Sequence, residues 1–170
     1  CGLIPENELS SQVGVQLNPV TSGPVVDESL ETNIDGIFAC GNVLHVHDLV
    51  DFVSGEAKMA GENAAAYVKG ELAAPGQEIV LSGVDGVRYT VPSKLDINRM
   101  AEQQVVRFRV GQVFRNCYLS VYYNAERISH VKKRIMAPGE MEQVILQKKK
   151  LAAFDGLQTI TIKVEQGETA

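Results

Sequence analysis

The chain has 170 residues, 45% of them hydrophobic, and a net charge of −5, enough for one medium globular domain or two small ones. No apolar run approaches the ~20 residues of a membrane-spanning helix, and no basic region followed by an apolar stretch and a cleavage site opens the chain, so neither a membrane span nor export is expected. Cys1, Cys40 and Cys117 are odd in number and far apart, with no Cys-x-x-Cys pair and no His spacing that completes a zinc site, and they read as reduced thiols of a cytoplasmic protein.

The chain starts at Cys1 without an initiator Met and runs straight into an apolar segment, which suggests a piece of something longer. Pro5 forbids a regular helix before it, and a short turn or helix is expected over Glu6 to Ser11. Val15 and Leu17, then turn residues Asn18 to Pro24, then Val25 and Val26 predict a small hairpin. Ile37-Phe38-Ala39-Cys40, bounded by Gly36 and Gly41, predicts a strand buried on both faces. From Asp48 to about Lys69, Val50, Val53, Ala57, Ala60, Ala64 and Tyr67 recur at helical spacing and predict the buried face of a helix. Asp48 and Asp51 suit the positive end of its dipole, and Lys69-Gly70 suit its termination. Ala57, Ala60, Gly61, Ala64 and Ala65 keep much of its surface small, so that its backbone can approach a neighbour closely.

The run Glu31-Thr32-Asn33-Ile34-Asp35-Gly36-Ile37-Phe38-Ala39-Cys40-Gly41-Asn42-Val43 resembles the second flavin-binding signature of the pyridine nucleotide-disulfide oxidoreductase family, T-x-x-x-G-[IVL]-[FY]-A-x-G-D. Thr32, Gly36, Ile37, Phe38, Ala39 and Gly41 are in register with it, and the order hairpin, signature, small-residue helix extends the likeness over roughly residues 1 to 70. The resemblance implies an FAD-binding Rossmann-like domain whose C-terminal portion is residues 1–75. It also implies cofactor contacts from Gly41, Asn42, Val43, Asp48, Leu49 and Val50. Where the family carries Asp, this chain has Asn42. An amide can still accept a bond from a sugar hydroxyl and can also donate one, but the charge-assisted bond is lost. The helix start would offer backbone amides to the flavin or its phosphates.

His45, His47 and Asp48 invite a metal or proton-relay reading, but two imidazoles and a carboxylate on a short loop more often pack or cap, and no metal is expected. Cys40 reads as a structural thiol, and without a close cysteine pair no disulfide chemistry is expected. No Gly-x-Gly-x-x-Gly follows a strand, so the FAD and NAD(P) phosphate loops would lie upstream. The chain alone is expected to bind FAD weakly or not at all.

At Ala73-Ala74-Pro75-Gly76 the composition changes. Residues 1 to 75 hold 2 Lys and 11 acids, whereas the remainder holds 14 bases and 10 acids, charges of about −9 and +4. A domain boundary is placed there, with residues 76–170 as the second unit. Alternation over Val106 to Val110, Cys117 to Tyr123 and Ile160 to Val164, with further candidates Val87 to Val91, Arg127 to Ile135 and Met141 to Leu146, predicts about six or seven short strands. The expectation is an all-β antiparallel sandwich, immunoglobulin-like in size. Lys132-Lys133-Arg134 and Lys148-Lys149-Lys150 read as solvated edges or loops that discourage edge pairing, not as a nucleic-acid interface. Tyr118, Ser120 and Tyr122 share a face that could meet another domain or subunit.

The expected function is therefore that of the C-terminal part of an FAD-dependent oxidoreductase passing hydride between NAD(P)H and an acceptor, inactive as an isolated piece. The substrate, set largely by residues elsewhere, is unreadable. A homodimer is expected to cover the open flavin half, and the sandwich is expected to dock a partner oxidoreductase subunit or to cover the active site. The competing expectation is a non-catalytic interaction protein whose sandwich docks a partner subunit, resting on Asn42 and the absent phosphate loops.

Overall fold

The computed structural model of the chain describes residues 3–166. Its elements are α1 (Glu8–Gln12), a 3-10 turn (Gly41–Val43), α2 (Val50–Lys69), β1 (Glu78–Val84), β2 (Val87–Val91), β3 (Lys94–Asp96), β4 (Gln103–Val110), β5 (Phe114–Tyr123), β6 (Glu126–Met136), β7 (Glu142–Gln147), α3 (Lys148–Ala152) and β8 (Thr159–Gln166). The fold is mixed α/β and mostly β. One sheet has the order β3-β1-β8-β5-β6 and the other β2-β4-β7. Among the described residues no helix is long and apolar enough to cross a membrane.

Alternation in the strands puts one row of each sheet into a shared core. Val106, Phe108 and Val110 of β4 meet Ile79 and Leu81 of β1, Leu119 and Val121 of β5 and Ile160 and Ile162 of β8, all buried. Fully burying a side chain of this size contributes about 1.5–3 kcal/mol, so this cluster is the main source of stability. The expected strands at Val87 to Val91, 106 to 110, 117 to 123, 127 to 135, 141 to 146 and 160 to 164 all form. Two others, β1 and the short β3, complete the eight. The sheets are not wholly antiparallel, because β1 pairs β8 in parallel, Leu81 opposite Ile160. Lys148-Lys149-Lys150 is not an edge or loop but opens α3, whose Leu151 is fully buried.

The first seventy residues differ more from expectation. The hairpin is reduced to a single bridge, Leu17 to Pro24, flanked by Val25 N donating to Gln16 O at 2.8 Å. Ile37 to Cys40 is not a strand: it makes one bridge, Glu31 to Phe38, and only Ala39 is buried. An apolar run becomes a buried strand only when strands flank it, and among the described residues the two sheets begin at Glu78.

Helix α2 forms as expected and ends at Gly70 in the left-handed conformation, φ 69°, but it is rotated from the expected face. Glu56 and Ala60 are its buried residues, with Phe52, Val53, Met59 and Asn63 half-buried beside them, while Ala57 is exposed and Val50 is 74% exposed. Counting only apolar residues misplaced the stripe, because its centre is a carboxylate. This face lies against the three-stranded sheet. Tyr89 and Val91 of β2, opposite Arg109 and Arg107 of β4, form the outward row of that sheet. Tyr89 and Val91 join Val26, Leu30, Ala39, Leu44 and Ala60 in a second core. That core spans the extended link at 73–77.

One close approach fixes the loop that precedes α2. A Cβ on Gly23 would stand 1.7 Å from the Leu44 carbonyl oxygen, and Leu44 is fully buried. Gly23→Ala is expected to cost about 3 kcal/mol or more, read as a lowered urea midpoint. A loss under about 0.5 kcal/mol would mean that the two loops separate freely.

Candidate functional site

Between the signature run and α2, residues 41–48 form a loop whose backbone is held at several points. Gly41, at φ 69°, turns the chain, and its carbonyl accepts from Leu44 N at 2.9 Å and His45 N at 3.2 Å. The Val43 carbonyl accepts from Asn7 Nδ2 at 2.8 Å, and the Val46 carbonyl from Arg109 at 3.0 Å.

The loop closes around Glu56. Oε2 of this carboxylate accepts from Gly41 N at 2.6 Å and contacts His47 Nε2 at 2.9 Å. Oε1 contacts His45 Nε2 at 3.1 Å and lies 3.7 Å from Arg107. The Arg107 guanidinium also sits over the Phe52 ring, 5.3 Å from its centroid. Phe52 and Glu56 are one helical turn apart, so a single face of α2 offers Arg107 both a ring and a carboxylate. His45 and His47, two apart in non-helical chain, reach the same carboxylate with ring centroids 4.3 Å apart.

Burial alone would raise the Glu56 pKa, but the hydrogen bonds from His45 and His47 outweigh it and hold the carboxyl at about 2. Burial pushes His45 downward despite Glu56, so its neutral form is favoured. Burial, then the charge of Glu56, pushes the Cys40 thiol up, which leaves it protonated and unreactive.

His45, His47 and Glu56 are all buried with ligand atoms within 4.8 Å of one another, so a metal must be weighed. Ligation through both Nε2 atoms would turn each Nδ1 into an N–H donor, and a metal-bound imidazole almost always gives that hydrogen to an acceptor. Both Nδ1 atoms are buried without a partner, and a guanidinium already shares the carboxylate. The donor set fits a carboxylate hub with each Nε2–H donated to Glu56. His45, whose neutral form burial favours, then leaves its idle Nδ1 as an acceptor, which costs less than an unpaired donor would.

The six residues expected to meet a cofactor divide. Gly41 is buried and Val43 half-buried, whereas Asn42, Asp48, Leu49 and Val50 are exposed. Asn42 Oδ1 accepts from His47 N at 3.2 Å, so its acceptor is in use and its amide N–H groups remain to be offered outward. Asp48 is held by groups outside the helix. It precedes α2, pairs with Arg109 and accepts from Met141 N at 2.6 Å, while Asp51 occupies the first turn. Leu49 is the N-cap and makes no side-chain cap, leaving the first amides of a 20-residue helix without that partner.

Glu56, Arg107 and Arg109 escaped the sequence reading. The available signal was an acid inside the small-residue stripe of α2, between Val53 and Ala60. A cleft of about 440 Å³ adjoins this hub, lined in part by Glu28, Glu56, Met59, Asn63, Arg99 and Arg107. Burial, then the charges of Asp27 and Asp96, raises Glu28 to about 7, although it accepts from Asp96 N at 2.8 Å.

The shared face of Tyr118, Ser120 and Tyr122 is also in place, on β5. Ser120 and Tyr122 donate to Glu165 at 2.5 and 2.7 Å, and Tyr118 stacks on His130 with centroids 4.0 Å apart. Ser120 is fully buried and its hydroxyl also lies 2.8 Å from His130 Nδ1, so it is a bridging group and not an accessible nucleophile. Comparisons with protein-family models, with curated proteins and with solved structures find no match to this chain.

Proposed function

We propose that this chain is the C-terminal part of a flavin-dependent oxidoreductase of the pyridine nucleotide-disulfide type. Residues 1–75 would close an FAD-binding Rossmann-like domain, and residues 76–170 would form an immunoglobulin-like sandwich packed behind it. The observation that carries the reading is the arrangement after the Thr32 to Gly41 signature. A left-handed glycine leads into a 3-10 turn and then an uncapped 20-residue helix, with Asn42 exposed and Leu49 and Val50 exposed by 56% and 74%.

These residues fit FAD. Asn42 has amide hydrogens to donate to a hydroxyl, the α2 start has amides suited to a polar or anionic group, and Leu49 and Val50 supply apolar contact. When bound, FAD carries the hydride between NAD(P)H and an acceptor. The chain positions and excludes water. Glu56 holds Gly41 and both histidines so that Asn42 is presented on a fixed backbone, and Arg109 with Asp48 fastens the other end of the loop to the sheet. The phosphate loops of both nucleotides would come from elsewhere in the enzyme, and the acceptor would be chosen there too.

The test is Asn42→Ala in the protein encoded by the complete gene. Retained flavin after desalting should fall at least about threefold, in line with one lost hydrogen bond, with the apoprotein still folding cooperatively and its stability lowered only by the acceptor that His47 N loses, about 1 kcal/mol. Unaltered retention would remove Asn42 from the cofactor contacts.

A further inference from the structure

We propose that the open side of the two sheets, between β6 and β7, docks an extended segment of another protein in which acidic and apolar residues alternate. Both strands are ends of their sheets, β6 pairing only β5 and β7 only β4. β6 is 11 residues long, and its outer backbone groups form a template for one more strand. Between the two runs a groove of about 380 Å³. Its lining includes the buried Leu119, Val121 and Leu146 and, at the rim, Val131 and Ile145, 52% and 53% exposed.

Register decides what such a strand must look like. Val121 opposite Ser129, Leu119 opposite Val131 and Cys117 opposite Lys133 put Ser129, Val131 and Lys133 on the groove side, because directly opposed residues share a face. Ser120 opposite His130 and Tyr118 opposite Lys132 put His130 and Lys132 on the outer side, and Arg134 follows Lys132 by the strand repeat. A strand added to β6 therefore lays one row along Ser129, Val131 and Lys133, over the floor of Leu119, Val121 and Leu146, and the other along Lys132 and Arg134, with His130 already beside Glu165. Apolar residues suit the first row and carboxylates the second. Lys133 already donates to a carboxylate across the mouth of the groove, Glu142 at 2.7 Å. A second copy is the poorer occupant, since β6 laid on β6 brings like charges together. The same bases that discourage self-pairing select an acidic partner.

The probes are a short blocked peptide alternating Glu and Val, a peptide of the same composition with the Glu and Val residues in separate blocks, and a short single-stranded oligonucleotide. Each is titrated into the chain with amide hydrogen exchange read on β6. The alternating peptide should bind, protect β6 amides and weaken as salt is added. Lys132→Glu/Arg134→Glu should weaken it roughly tenfold, and Val131→Glu should weaken it through the groove side, with both variants retaining the wild-type circular dichroism. Equal binding of the peptide with Glu and Val in separate blocks, tighter binding of the oligonucleotide, absence of β6 protection, or a dimer of the chain that itself protects β6 would each overturn the proposal.

Discussion

Glu56→Ala is expected to destabilise the chain by about 3–5 kcal/mol, the cost of removing one partner from a buried charged group. The substitution strips hydrogen-bond acceptors from Gly41 N–H and both histidine Nε2 atoms and leaves Arg107 beside no carboxylate. Each unmet buried donor costs about 1–3 kcal/mol, and local relaxation keeps the total below the sum. Glu62→Ala on the exposed side of the same helix, where Glu62 makes only a 3.8 Å pair with Lys58, should stay within about 0.5 kcal/mol. Urea unfolding of the two variants separates a hub from a surface acid. Near-equal losses would mean that the carboxylate cluster does not hold the loop.

Glu28→Gln should make the chain more stable above pH 7 and leave it nearly unchanged near pH 4.5. The folded-state pKa of Glu28 is raised from 4.5 to about 7, so its contribution is fully present below 4.5 and lost as pH rises through about 7. Each pKa unit corresponds to about 1.4 kcal/mol, so the gain at pH 8 should be on the order of 2–3 kcal/mol. The amide keeps a carbonyl for Asp96 N and adds donors towards Asp27 and Asp96, the acids that oppose the charge. Glu56 acts in the opposite sense. Its pKa is held at about 2, so its stabilisation is present above 4.5 and lost as pH falls towards 2. His45, lowered by burial, also withdraws stability as pH falls, starting near 6.5. Taking the difference between variant and wild type at each pH cancels both. A difference that does not change between pH 4.5 and 8 would place Glu28 in water.

What the sequence conveyed followed the range of the interactions. Helix α2 and its stop at Gly70 were readable because spacing and the αL cap are local, as were the strands with clean alternation. The parallel pairing of β1 with β8 joins residues some 80 apart, and nothing within either strand announces it. The run Ile37 to Cys40 was misread because four apolar residues do not carry their own neighbours. The face of α2 was misread because Glu56 is buried only through His45, His47 and Arg107, the last of these on another element. At the candidate site, Gly41 and Asn42 could be found by motif. The use of the Asn42 acceptor by His47, and the turn of Asp48 towards Arg109, depended on packing that no spacing encodes.

These features describe a loop clamped from below by a carboxylate and presented from above as a small polar and apolar surface at a helix start. That division suits a segment that holds one side of a cofactor. The most direct test is the visible spectrum, after desalting, of the protein encoded by the complete gene, recorded beside that of this chain incubated with FAD. Bound-flavin absorbance in the complete protein and none retained by the chain alone is the predicted result. A colourless complete protein that takes up no FAD would contradict the flavin reading and leave the strand-docking side of the sheets as the surface with a function.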